Sequence, residues 1–357
     1  MRRLCAEPPC TGSRSNTVEP KHSIIQPLNG ARGVAAIVVA LFHYALLLGV
    51  QVAPGGYLAV DLFFVLSGFV IAHAYDRRLE GGLGAFAFLR LRLRRFYPLY
   101  ALGMLLSAAW LLVELVLSPP AALTPAQLAG AFGLAALFLP YPGTADLFPL
   151  NPPAWSLLFE LLVNFAYGAL FALLSVRVLL VLALLSGVAL ALAVAAADTA
   201  NLGVTWSTVP AAFPRTIFSF CIGAVIYRVR DRLPVWRLGA IPPIALMCLP
   251  MLVPVAGSRA MVDLAAIFVI FPLTIALIAR SSASPAAASA YAALGALSFP
   301  LYALHYPIMM VGLGMADRLP LPRLATGALF LAGAILLSLI VHYRFDEPIQ
   351  KRLSRRK

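Results

Sequence analysis

The feature that most constrains this chain is a succession of apolar stretches, each about as long as a bilayer is thick. The hydrocarbon core of a membrane is about 30 Å across, which an α-helix spans in about 20 residues. Runs of this kind occupy 31–50, 58–75, 96–117, 155–176, 178–197, 211–227, 238–255, 260–279, 291–312 and 324–343. In hydrocarbon every backbone N–H and C=O must be satisfied within its own segment, so each run is expected as a helix. Composition excludes the soluble alternative. Of the 357 residues 62% are hydrophobic and 11% are charged, against about 25% charged in a soluble domain. Intrinsic disorder is excluded by the same figures. The expected fold class is therefore all-α: a polytopic integral membrane protein with ten transmembrane helices. One further run, 128–140, ends at Pro140 and is short for a span and long for a loop.

Charge gives the orientation. The net charge is +13, and the basic residues sit in clusters between apolar runs. Cytoplasmic loops carry such clusters, so the lipid bilayer is the expected partner and nucleic acid is not. The N-terminal tail (Arg2, Arg3, Arg14, Lys21), the segment holding Arg77, Arg78, Arg90, Arg92, Arg94 and Arg95, and the C-terminal tail (Lys351, Arg352, Arg355, Arg356, Lys357) are all expected inside. If 128–140 is a re-entrant or interfacial segment, the cluster Arg228, Arg230, Arg232, Arg237 also falls inside. The loops 49–57, 118–154 and 198–210 then fall outside, and none holds Lys or Arg. The outer loop 313–323, with Arg318 and Arg323, fits less well. The chain is expected in the cell (inner) membrane, multi-pass, with both termini cytoplasmic. Residues 1–25 read as a polar, disordered cytoplasmic tail, 26–345 as the transmembrane domain and 346–357 as a basic cytoplasmic tail. Cys5, Cys10, Cys221 and Cys248 have no metal-ligand spacing and imply no disulfide framework; no metal site is expected.

Ionisable residues inside membrane helices are costly and point to function. Arg32 and His43 stand eleven residues apart in the first run. At about 100° per residue they share a face, about 16 Å apart along the axis. Arg32 reads as an anchor or as a clamp for phosphate or carboxylate. His43 reads as an interhelical donor or as a general base. Asp61 lies near the outer end of the second run, with Ser67-Gly68 at its middle, a place where small residues let helices pack closely. Arg92, Arg94 and Arg95 precede the third run, as topology signals or as a phosphate site near Arg32. Ser156, Glu160 and Asn164 line one face of the fourth. Glu160 is expected at the depth of His43, where a carboxylate could orient the imidazole or bind a hydroxyl-rich ligand. Ser298, Tyr302 and His305 share a face of the ninth run, with His305 also in the outer half.

Six strings in order, LNGARG…FHY, VDLFFVLSGF, RRFYPLY, PPAWSLLFE, SFPLYALH and FDEP, make the chain resemble the membrane-bound acyltransferase 3 family, which includes O-antigen, exopolysaccharide and macrolide O-acyltransferases. The resemblance covers about residues 26–350. It implies transfer of an acyl group, usually acetyl, from cytoplasmic acyl-CoA as donor to a hydroxyl of a saccharide or lipid-linked glycan acceptor. It carries the family's Arg-His pair onto Arg32 and His43, its Arg-rich segment onto Arg92, Arg94 and Arg95, and its Trp-Ser-Leu-x-x-Glu element onto Trp155, Ser156, Leu157 and Glu160. Asn29 departs from an Asp common in the first motif, and no fused esterase-like domain is expected. The combined expectation is a donor site at Arg32, Arg92, Arg94 and Arg95, catalysis by His43 with Glu160 orienting it or the acceptor, and substrate contacts from Asp61, Ser67, Trp155, Ser156, Tyr302 and His305. A transporter or flippase without acyl transfer is the competing class. Such a carrier would show internal repeats and broken helices in matching halves, and the sequence has neither.

Overall fold

The computed structural model describes residues 25–117, 122–281 and 285–355. The N-terminal tail as far as residue 24, with Cys5 and Cys10, lies outside the described residues, as do Arg356 and Lys357 of the basic tail. The described chain is helical throughout: α1 (Ile25–Leu48), α2 (Ala59–Glu80), α3 (Ala85–Leu117), α4 (Pro125–Ala136), α5 (Trp155–Ala169), α6 (Val176–Ala197), α7 (Val209–Val229), α8 (Ile241–Leu252), α9 (Ala260–Ala265), α10 (Phe271–Ala279), α11 (Pro285–Ala316), α12 (Arg323–Val341) and α13 (Glu347–Arg355). Single π-helical turns, Ala266–Ile270 and His342–Asp346, join α9 to α10 and α12 to α13.

Eight helices among the described residues are long and apolar enough to cross a membrane. The expected class, an all-helical polytopic membrane protein, holds; eight of the ten expected spans meet that length, and two are shorter helices. The fourth and seventh runs give α5 of 15 residues and α8 of 12. The sequence explains both lengths. After α5 the chain tightens into a 3-10 turn at Phe171–Leu173, and the Ser175 hydroxyl caps α6 by accepting from the Val178 N–H. In α8, Pro242 and Pro243 stand at the start and Pro250 sits inside, where the missing N–H weakens the ladder.

The helices alternate between two ends. At one end, rich in arginine, Arg228 donates to the Asp76 carboxylate and to the Leu174 carbonyl, tying the ends of α2 and α7 to the turn after α5. At the other, Asp198 after α6 accepts from Ser258 Oγ and Ala260 N, and Tyr57 donates to Asp263 Oδ2 at 2.7 Å. The run 128–140 does not cross between them. A Thr124–Gln127 capping box opens α4, and the chain then doubles back beside it, with Gln127 Nε2 donating to Gly143 O and Tyr141 packed on Gly130. At the reversal Phe138 takes a positive φ of 62° and stacks on Tyr100 at 4.0 Å.

Two parallel pairs form the centre. In α1 and α11, Arg32 meets Ser298 while His43 meets His305, so the two run in the same direction. Gly33 lets them close, since a methyl group there would strike the Leu294 backbone. In α2 and α7, Gly68 and Gly223 meet crosswise: a Cβ on either would collide with a carbonyl of the other helix, Phe220 or Val65. Small residues of this kind supply close packing where apolar surface alone gives no preference. The outer helices leave apolar side chains bare. Leu184, Leu185, Val188 and Leu192 of α6 are exposed, as expected where lipid is the solvent.

Candidate functional site

Five helices, α1, α2, α3, α5 and α11, enclose a cavity of about 180 Å³, or about 1020 Å³ counting its open mouth. Three guanidinium groups line it, those of Arg32, Arg92 and Arg95. Arg32 Nε donates to Ser298 Oγ at 2.8 Å, and its Nη2 reaches Gly295 O. Arg92 Nη2 donates to Glu160 Oε1 at 3.0 Å, and Ser67 Oγ donates to the same oxygen at 2.7 Å. Arg95 Nη1 donates to both oxygens of Asp346 at 3.0 Å. Aromatic faces hold two of the cations, Phe96 under Arg92 and Phe299 under Arg95. Against three guanidinium groups stand the carboxylates of Glu160 and Asp346. The cavity keeps one positive charge in excess, and Arg92 Nε is buried without a partner.

Arg94 is not part of this group. Residues 92 and 95 are three apart and share a helical face, whereas 94 is about 200° round from 92. Its side chain is exposed, and its backbone carbonyl accepts from Gln350.

At its inner end the cavity is lined by Ser156 and Tyr302. Their hydroxyls are 2.6 Å apart, and Tyr302 donates to the Pro153 carbonyl at 2.9 Å. One turn along α11 from Tyr302 is His305, fully buried. Its Nδ1 is 3.0 Å from Leu301 O and 2.9 Å from Tyr302 O. Carbonyls only accept, so Nδ1 carries the proton and Nε2 holds a lone pair. That Nε2 is 3.2 Å from Nδ1 of His43, which also sits 2.9 Å from Val39 O. Both neighbours of His43 Nδ1 are acceptors, which assigns its proton to Nδ1 and leaves Nε2 free to take one.

The proline pattern of α11 supports this geometry. Pro307 has no N–H, so the carbonyl four residues back is released from the ladder. That carbonyl, Ala303 O, accepts instead from Asn151 Nδ2 at 3.1 Å. The tie holds the turn carrying Tyr302 and His305 against the residues that open α5.

Three further expectations need correction. Glu160 does not meet His43: Arg92 and Ser67 hold its carboxylate, and the partner of His43 is His305. Asp61 does not face a ligand. Arg215 engages both its oxygens, Nε to Oδ1 at 3.1 Å and Nη2 to Oδ2 at 2.5 Å, and also donates to Leu202 O. Trp155 is buried and takes no part in lining the cavity; its ring lies 5.5 Å from the Arg215 guanidinium. Ser67, Ser156 and Tyr302 do line the cavity, and His305 stands behind it. Asn164, on the same face of α5 as Ser156 and Glu160, is buried with neither amide atom partnered. Arg215 escaped the reading of the sequence, although a charged residue inside the apolar run 211–227 was the available signal.

Comparisons with known proteins give the family. A family model described as an acyltransferase domain, that of the acyltransferase 3 family, matches residues 25–343. A stretch of 152 residues is 44% identical to "Protein 2 in picA locus" of Rhizobium radiobacter, covering 40% of this chain and 79% of that protein. No solved structure matches.

Proposed function

Since the chain belongs to the acyltransferase 3 family, we propose that it moves an acyl group, acetyl by preference, from acyl-CoA to a hydroxyl of a saccharide or lipid-linked glycan. The observation that carries this reading is the alignment along α1. Arg32 opens onto the arginine-lined cavity and His43, on the same face, onto the buried histidine pair. Arg32, Arg92 and Arg95 hold the phosphates of the donor, for which a guanidinium fork is well suited. Their side of the membrane is the cytoplasm, by the clustering of arginine at that end. The acyl arm runs inward past Ser67 and Phe63 toward Tyr302, over a span of about 16 Å. Ten crossings of the inner membrane, with α5 and α8 as the two short ones, put both termini on the cytoplasmic side.

The acceptor comes from the other end. His43 Nε2 takes the proton of its hydroxyl, and the oxygen attacks the thioester carbonyl carbon. The carbon–sulfur bond breaks, and the departing sulfur takes the proton from His43. His305 orients the base by accepting from its Nδ1–H, the part a carboxylate has in other acyl-transfer sites. Glu160 acts on the donor side, where it fixes the Arg92 guanidinium. The test is transfer of label from [14C]acetyl-CoA in membranes containing the protein. His43→Ala is expected to lower the rate by about 10²–10⁴ fold, with the protein still inserted. Full activity in that variant would end the reading.

A further inference from the structure

A second cavity lies against the stretch of α11 just beyond His305. It is enclosed by α3, α11 and the segment 122–150, and its walls include Ser107, Trp110, Thr144, Asp146 and Tyr306. Tyr302 faces the arginine cavity and Tyr306, four residues on, faces this one, so the two occupy neighbouring stretches of α11. The Tyr306 ring stands edge-on to His43, with centroids 5.7 Å apart. The Tyr302 ring is 5.9 Å from that of His305. The histidine pair therefore touches one wall residue of each cavity, Tyr302 and Tyr306, and itself lines neither.

We infer that this second cavity is the acceptor subsite, and that Asp146, Ser107, Trp110 and Tyr306 select a polyhydroxylated ligand and present its hydroxyl to His43. The inference rests on the acyl-transfer reading and adds to it the place and chemistry of the acceptor. Its polar groups are of the kind that hydroxyls satisfy. The Asp146 carboxylate has no hydrogen-bond or ion-pair partner among the described residues, and it is half-buried. Burial alone pushes its carboxyl above the usual range, as happens when a carboxylate loses water without gaining a cation. The Ser107 hydroxyl is buried and also without a partner. A buried polar group left unpaired is uncommon in a native protein and calls for an occupant. A carboxylate accepts hydrogen bonds from two adjacent hydroxyls, a serine donates or accepts, and the apolar faces of Trp110 and Tyr306 suit the C–H faces of a sugar ring. Among the described residues these walls hold no arginine or lysine, which sets the cavity apart from the donor side and disfavours a phosphorylated ligand there.

The test uses the full chain in its native membranes, with [14C]acetyl-CoA as the probe, and three variants: Asp146→Asn, Trp110→Ala and Trp110→Phe. Two quantities are measured, the upward thermal shift of each solubilised protein on adding acetyl-CoA and the rate of label transfer to the endogenous acceptor. The first two variants are expected to keep the wild-type shift and to lose transfer by about tenfold or more, the effect of removing a charged or aromatic contact. Trp110→Phe, which keeps an aromatic face, is expected to retain most of the activity. Wild-type transfer rates in both Asp146→Asn and Trp110→Ala would overturn the subsite. A wild-type protein that neither shifts with acetyl-CoA nor transfers label would defeat the acyl-transfer reading itself, and the subsite with it.

Discussion

At the scale of single residues, the molecule is organised by a few buried charges, each with a different partner. Asp61 and Arg215 are both nearly inaccessible. Removing one partner of such a pair strands the other charge and costs about 3–5 kcal/mol. Asp61→Asn is therefore expected to lower the thermal midpoint sharply in detergent, and replacing both by leucine to recover much of the loss. An unchanged midpoint in Asp61→Asn would contradict the structural role given to the pair. His305 makes a different prediction. His305→Ala removes the acceptor on His43 Nδ1, so transfer should fall while acetyl-CoA still stabilises the protein; equal loss of both would mean a packing role only. The Arg32–His43 face was legible in the sequence because helical spacing alone fixes it. The partner of Glu160 was not. Depth along a helix follows from rise per residue, but Arg92 has a long, flexible side chain, and which guanidinium reaches which carboxylate is decided by the packing of α3 on α5. Asp61 was misread for the same reason: its partner lies on α7, 154 residues away.

At the scale of elements, glycine sets the central crossing. Gly68 and Gly223 face carbonyls of the opposing helix, and overpacking of this kind costs about 1–3 kcal/mol. Gly223→Val is expected to lower the thermal midpoint, whereas Gly82→Ala, with open space around it but a positive φ of 91°, should cost less. Equal effects would remove the close approach as the explanation. The apolar runs announced where helices lie, yet not where they stop. The run 155–176 contains no proline after Pro153 and no charge beyond Glu160, so nothing in its hydropathy marks the 3-10 turn that ends α5. The short run 128–140 was marked as unusual by Pro140 and its length, but the reversal at Phe138 that turns the chain back was not legible.

At the scale of the whole molecule, the two ends differ in charge, and the account assigns the arginine-rich end to the cytoplasm. In a background without native cysteines, an impermeant thiol reagent applied to intact cells is expected to label Ser258→Cys, Ala122→Cys and Pro142→Cys. It should leave Ser354→Cys unlabelled until the cells are opened. The two positions flanking α4 are the informative ones, since labelling of only one would mean that this segment crosses. The central claim is that the arginine cavity binds the acyl donor. The most direct measurement is a thermal-shift titration of the purified protein with acetyl-CoA, beside Arg32→Ala. A ligand that binds only the folded state raises the apparent midpoint with concentration. Wild-type protein is expected to shift, and the shift is expected to disappear in Arg32→Ala. A folded wild-type protein that no acyl-CoA stabilises, or a variant that shifts as the wild type does, would contradict the claim.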